Sequence, residues 1–341
     1  MSVQAKPTAG TSSGSTSPQV LGVVVIGRNE GQRLRRCLES VLGATPAVVY
    51  VDSGSSDGSA AMAAALGADM VALDLARPFT AARARNEGLA RLRGAFPAAT
   101  RVQFVDGDCE VVAGWLASAE RFLDAHPEVA VVCGRRRERH PERSVYNLLC
   151  DLEWDTPVGA AKAFGGDAML RIDALRQVGG YRDDLVAGEE PELAVRLRAR
   201  GWKIHRLDAE MTLHDAAITR FGQWWTRSVR AGFAFAEGAR LHGAPPERHW
   251  VRETRSAWLW GAAIPLAAPL LALAVGPWGL ALFALYPLQV LRLGLRGNAP
   301  ARARWARALF IVLGKFAEVR GQIRWAWRHA RRQPAALIEY K

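Results

Sequence analysis

Apolar positions along the first third of the chain alternate between unbroken runs and helical spacing. Residues 20–27 form a continuous run of strand formers, the pattern of a strand buried on both faces. After Arg28-Asn29-Glu30-Gly31, residues Leu34, Cys37, Leu38, Val41 and Leu42 recur at helical spacing, stopped by Gly43 and Pro46. The pattern then predicts a strand at 47–51, a helix at 59–67 ending on its glycine, a strand at 68–73, a helix at 82–92 and a strand at 101–105. This β-α-β-α-β order with short loops predicts an α/β fold, a doubly wound sheet flanked by helices, in which ligands gather at the carboxyl ends of strands. Beyond about residue 141 the periodicity weakens, and the substrate-facing half is expected there.

A different pattern begins at Ser256. Residues 256–291 are 36 positions without a charge. As one helix they would span about 54 Å, against roughly 30 Å of hydrocarbon. Gly276-Pro277 divides the segment, so two short helices in a membrane hairpin, 256–295, are expected, with a buried hairpin of a soluble protein as the alternative. Arginines flank both ends, Arg248, Arg252 and Arg255 before and Arg292, Arg296, Arg302, Arg304 and Arg307 after. By the positive-inside rule both ends face the cytoplasm, which places the protein at the inner membrane with its larger domain cytoplasmic.

Charge sharpens this division. The formal net charge is +12, and Ser256 to Lys341 supplies most of it, with 12 Lys and Arg against 2 Asp and Glu. The remainder is nearly neutral, with 33 basic against 31 acidic residues. The excess therefore suits anionic lipid headgroups around the hairpin and an Arg/Trp-rich amphipathic tail, 302–332, and argues against nucleic acid as a partner. Residues 1–19, rich in Ser, Thr, Gly and Pro, read as a disordered lead-in without a signal peptide's apolar stretch. Cys37, Cys109, Cys133 and Cys150 lack metal-binding spacing and are expected as buried thiols. The expected organisation is thus the lead-in, a domain at 20–240 with halves at 20–110 and 111–240, and a helical region at 241–341.

Several polar groups fall where strands end. Asp106-Gly107-Asp108 follows the 101–105 strand, and two carboxylates around one small residue can share a divalent cation. Asp52 opens a Ser/Gly loop whose backbone N–H groups could receive a nucleotide, while Asp57 is expected to cap the next helix. Asn29 and Glu30 follow the first strand in the same way. Glu189, Glu190 and Glu192 begin a helix; acids there are stabilised by the helix dipole, and a carboxylate beside like charges is suited to accept a proton. His214 is either structural or a ligand. Trp224 and Arg227 suit stacking on a sugar or pairing with phosphate, or equally an amphipathic surface helix.

Taken in order, Arg28-Asn29-Glu30, Val51 to Gly58, Ala84-Arg85-Asn86, Asp106-Gly107-Asp108, Gly165-Gly166-Asp167-Ala168-Met169 with Val178-Gly179-Gly180-Tyr181, Glu189-Glu190 and Arg200-Gly201-Trp202 resemble the family 2 glycosyltransferases of GT-A fold over about residues 20–235. The resemblance implies transfer of a sugar, with inversion, from a nucleotide-diphosphate donor to a glycan or lipid-linked acceptor. It implies nucleotide contacts from Asn29, Glu30, Asp52, Arg85 and Asp106. A Mg2+ or Mn2+ ion would be held by Asp108, partly by Asp106 and with His214, and would stabilise the departing diphosphate. Gly166, Asp167, Trp224 and Arg227 are expected on the acceptor and diphosphate side. The family usually has Glu-Asp where this chain has Glu189-Glu190; by position Glu190 is the expected base, with Glu189 next. The Gln-x-x-Arg-Trp helix of processive members is not matched. A sugar-nucleotide nucleotidyltransferase would need a basic Gly-rich loop after the first strand, which Gly27-Arg28-Asn29-Glu30-Gly31 does not provide, and a lapsed, purely binding site would not be expected to keep every acid.

Overall fold

A computed structural model describes residues 20–297 and 299–331, so the lead-in, Arg332 and the residues after it lie outside the described part. The seven predicted strands and helices of the first third are present. They are β1 (Val20–Gly27), α1 (Gln32–Leu42), β2 (Val48–Asp52), α2 (Ser59–Ala65), β3 (Asp69–Ala72), α3 (Ala81–Ala95) and β4 (Ala99–Asp106). β1 pairs in parallel with β2 on one side and β4 on the other, and β2 pairs in parallel with β3. Val23, Val24 and Val25 are wholly buried, as a run covered on both faces must be.

The second half completes one nine-stranded mixed sheet. It adds β5 (Cys109–Val111), α4 (Trp115–Ala125), β6 (Val129–Glu138), α5 (Val145–Trp154), β7 (Gly159–Ala160), β8 (Ala168–Arg171), α6 (Ile172–Gln177), α7 (Glu189–Ala199) and β9 (Lys203–His214). The strand order is β3-β2-β1-β4-β8-β6-β9-β5, with β7 on β9. β8 runs antiparallel between β4 and β6, and this reversal brings residues 166–168 back against the end of β4. The cysteines are free and buried, as expected.

The C-terminal region is helical: α8 (Phe221–His242), α9 (Val251–Trp258), α10 (Ile264–Val275), α11 (Leu285–Arg296) and α12 (Ala301–Ala330). The hairpin breaks at Gly276, whose φ of 88° suits glycine. Its first run starts at Val251, earlier than expected, and passes through a π-turn at Leu259–Ala263; the second begins as a 3-10 turn at Pro277. Val251–Val275 and Pro277–Arg296 are long and apolar enough to cross a bilayer. Their large side chains, Leu266, Leu270, Leu273, Trp278 and Leu288 among them, face outward, so the hairpin is not a buried soluble core.

α8 runs through residue 240, and α12 returns along it. A Cβ on Gly232 would sit 2.0 Å from Glu318 O, and one on Gly321 would sit 2.0 Å from Val229 O. Only glycines allow the two backbones so close, and the basic helix is thereby fastened to α8.

Candidate active site

The ends of β1 and β2 are tied together by side chains. Asn29, at a left-handed φ of 57°, donates its N–H to Ser55 Oγ (2.9 Å) and accepts from Ser56 N at Oδ1 (2.8 Å). Asp52 is buried; it accepts from Tyr50 Oη (3.0 Å), Gly54 N (3.0 Å) and Ser55 N (2.8 Å). Burial, and then the Asp52 charge, push the Tyr50 phenol well up, which keeps it a donor. Asp52 thus shapes the Ser/Gly loop through its own hydrogen bonds. Glu30 pairs with Arg33 at 2.7 Å. Asp57 accepts from Ser59 N (3.0 Å), the capping role expected of it.

Arg85, expected near the nucleotide, gathers three carboxylates. From α3 its Nη2 donates to Asp106 Oδ1 (2.8 Å), while Nη1 lies 3.0 Å from Glu189 Oε1 and 3.0 Å from Glu190 Oε1. The Tyr181 ring lies beneath the guanidinium, 5.6 Å to its centroid. Burial alone would lower the Arg85 pKa; the charges of Glu190 and Asp106 more than reverse it. Gly188, at φ 83°, turns the chain into α7 so that Glu189 and Glu190 occupy its first turn. Glu192 points elsewhere, pairing with Arg196 (2.6 Å) and His242 (3.0 Å). Burial, reinforced by Glu189, lifts the Glu190 pKa to about 7 against the opposing pull of Arg85.

Asp106 is held from two sides. Besides Arg85, Arg136 Nη2 donates to Asp106 Oδ2 (3.2 Å). Asp167 is buried and accepts from Asp106 N at Oδ1 (3.0 Å) and from Thr212 Oγ1 at Oδ2 (2.7 Å), so it positions Asp106. Gly166 completes the approach: a Cβ there would lie 2.6 Å from Asp106 Oδ2 and 2.7 Å from Arg85 Nη2.

The other acid, Asp108, faces His214 at the end of β9. Antiparallel pairing of β5 with β9 sets Cys109 opposite His214, and His214 Nε2 lies 3.2 Å from Asp108 Oδ2. The Trp154 edge meets the imidazole at 4.6 Å between centroids, and Arg136 lies 4.9 Å from the centre of the same indole. Burial, then the Arg136 charge, lower the His214 pKa, so the ring is a neutral imidazole with a lone pair to offer. Carboxylate and imidazole together suit a divalent cation. His214 Nδ1 is buried without a hydrogen bond and lies 3.7 Å from Glu138 Oε2, so the nitrogen on the Asp108 side is Nε2. Cys109 Sγ lies within reach of Asp108 and His214, and equally of Asp106 and Asp167, but burial raises its pKa well above the usual thiol value. A protonated thiol is a poor ligand. Among the described residues the expected ligands therefore divide: Asp108 and His214 form one cluster, and Asp106 falls in the other.

Trp224 and Arg227 are not open to this site. Trp224 is buried in an aromatic cluster with Tyr146, Phe221 and Phe310. Arg227 makes a bidentate pair with Glu153 (2.8 and 2.9 Å). The spacing that suggested a sugar platform is the spacing of a helix packed through its aromatic face. Sequence reasoning missed Arg136, Trp154, Glu138 and Tyr181. The arginine triplet 135–137 at the end of an apolar run was the one visible signal, since alternation along β6 turns Arg136 toward Asp106.

Residues 22–156 match the model of the family described as glycosyl transferase family 2. Among solved structures, the mannosyltransferase PcManGT from Pyrobaculum calidifontis, in complex with GDP-Man and Mn2+, is similar at 22% identity. The alignment covers 92% of this chain and 88% of that one, with a TM-score of 0.57. A glucosyl-3-phosphoglycerate synthase from Mycobacterium tuberculosis, in complex with phosphoglyceric acid, aligns at 17% identity over 67% of this chain and 81% of that one, with a TM-score of 0.47. No curated protein matches the chain in sequence.

Proposed function

We propose, for a chain that carries a family 2 glycosyltransferase domain on a GT-A fold, that it is an inverting, cation-assisted transferase in which Glu190 is the base. The observation that carries this is the Arg85 cluster. A largely enclosed carboxylate, 12% exposed and with its pKa lifted to about 7, stands beside the Asp106 end of β4. Such a group is matched to accepting a hydroxyl proton near neutral pH.

In this reading the donor's nucleoside lies on the Ser/Gly loop shaped by Asp52 and Asn29. The acceptor hydroxyl approaches Glu190. As Glu190 takes the hydroxyl proton, the oxygen bonds to the anomeric carbon from the face opposite the diphosphate. The bond from that carbon to the phosphate oxygen breaks, its electron pair leaves with the diphosphate, and the configuration inverts. Asp108 and His214 would hold a Mg2+ or Mn2+ ion, which as a Lewis acid neutralises charge on the leaving oxygens. Arg136 and Arg85 keep Asp106 fixed throughout.

The exposed hairpin supports anchoring to a membrane, with the flanking arginines on the cytoplasmic side, and hence a lipid-linked or envelope glycan acceptor. The GDP-Man and Mn2+ of the Pyrobaculum enzyme make GDP sugars the first donors to try. The test is a thermal-shift screen of GDP, UDP, CDP and dTDP sugars with Mn2+, followed by an assay of nucleoside diphosphate release. One donor should stabilise the protein and be turned over, and Asp108→Asn should abolish both effects; turnover of none of them would contradict the proposal.

A further inference from the structure

Glu138 ends β6 directly beside His214, its register partner on β9. Its side chain is 1% exposed, and donors surround it. Oε1 accepts from His140 N (3.0 Å) and Asn147 Nδ2 (3.1 Å), and Oε2 accepts from Ala216 N (3.0 Å). Two of these donors are backbone amides, so the carboxylate is fixed by the chain fold itself. His214 Nδ1 lies 3.7 Å from Oε2, slightly beyond hydrogen-bond distance, and is hydrogen-bonded to no other group.

The imidazole is therefore flanked by a carboxylate at each nitrogen, Glu138 at Nδ1 and Asp108 at Nε2. A neutral ring carries one N–H. With the proton on Nε2, the Nδ1 lone pair faces an immobile carboxylate oxygen. With the proton on Nδ1, Glu138 accepts it, and the Nε2 lone pair and Asp108 Oδ2 converge from 3.2 Å apart, an arrangement that positive charge between them satisfies.

We infer that Glu138 is a positioning residue: it holds the proton of His214 on Nδ1 and thereby presents the Nε2 lone pair, beside Asp108, to the divalent cation. This rests on reading Asp108 and His214 as cation ligands. The ring stays neutral; the proton given up by Nε2 goes to solvent and Nδ1 takes one in return. A carboxylate behind a ligating histidine orients the ring and fixes its tautomer, and its loss weakens metal affinity about 10- to 100-fold.

The experiment uses the full chain labelled with 15N-histidine, with Mg2+ and a mixture of GDP, UDP, CDP and dTDP. His214 is assigned by the signals lost in His214→Gln. Expected is a protonated Nδ1 and an unprotonated Nε2. Mn2+ affinity is measured in parallel by electron paramagnetic resonance with the same nucleotides, against a protein-free control. Glu138→Gln, whose amide can donate to Nδ1, should drive the proton to Nε2 and weaken Mn2+ binding about 10- to 100-fold, and Glu138→Asp should recover part of the loss. A merely structural Glu138 would lower the melting temperature but leave the tautomer and Mn2+ affinity of the folded fraction unchanged. Cation binding with Nε2 protonated in the wild type overturns the inference alone. Equal failure of the wild type and Asp108→Asn to bind Mn2+ overturns the reading beneath it.

Discussion

Arg85 Nη1 stands 3.0 Å from a carboxylate oxygen of Glu190 while Nη2 of the same guanidinium holds Asp106 at 2.8 Å. One buried cation thus spans the candidate base on α7 and the acid at the end of β4. Replacing Arg85 with Met removes the counter-charge of Glu189 and Glu190 and leaves Asp106 paired with Arg136. Breaking a buried pair in this way costs about 3–5 kcal/mol, to be read from urea denaturation. In the folded fraction the Glu190 pKa should climb above its present value of about 7, moving the acidic limb of the rate profile to higher pH.

The raised Glu190 pKa has two consequences of opposite sense. As a base Glu190 must be ionised, so kcat/KM should fall tenfold per pH unit below about 7. For folding the sign reverses: the native state holds a proton that the unfolded chain has already lost. Stability conferred by this group is therefore full below the ordinary carboxylate range and is lost as pH rises through about 7. Chemical denaturation of wild type at pH 6 and pH 8 should show the decline, and Glu190→Gln should flatten it.

Gly166 marks a contact too close for any side chain. In Gly166→Ala the new methyl would lie 2.6 Å from Asp106 Oδ2 and 2.7 Å from Arg85 Nη2. Overpacking of this kind costs about 1–3 kcal/mol. A melting curve should show a folded, destabilised protein, and its transfer rate should fall much further than its stability, because the displaced groups are Asp106 and Arg85.

The hairpin predicts behaviour during fractionation. Outward-facing Leu266, Leu270, Leu273 and Leu288 require an apolar surrounding. The protein should sediment with membranes and stay there through high salt and alkaline carbonate, leaving only with detergent. Release by salt alone would mean that the arginines, and not the hairpin, hold it.

Much of the first half of the sheet was legible in the chain. Val20–Gly27, Val48–Asp52 and Ala99–Asp106 are apolar runs that end in polar residues, and strand ends are where such a sheet presents ligand groups. The second half was harder because its strands are mixed. β9 carries charged and apolar residues side by side, since its 12 residues pair in turn with β6, β7 and β5. Arg136 reaches the corner at His214 through the β6–β9 pairing and Trp154 from the end of α5, across distances in sequence that no local pattern records. Trp224 shows the converse, an aromatic whose spacing is equally that of a ligand platform and of a packed helix. The division of Asp106 from Asp108 was also invisible, because β4 ends at Asp106 and the turn through Gly107 sends the two acids to different partners.

The proposed mechanism turns on Glu190, and not Glu189, taking the acceptor proton. Its most direct measurement is the single-turnover transfer rate of Glu190→Gln and of Glu189→Gln, each with nucleotide affinity determined on the same sample. The account predicts that Glu190→Gln slows transfer about 100- to 10,000-fold with nucleotide affinity retained and the limb near pH 7 gone, while Glu189→Gln keeps that limb. Transfer by Glu190→Gln at the wild-type rate, with the limb in place, would contradict it.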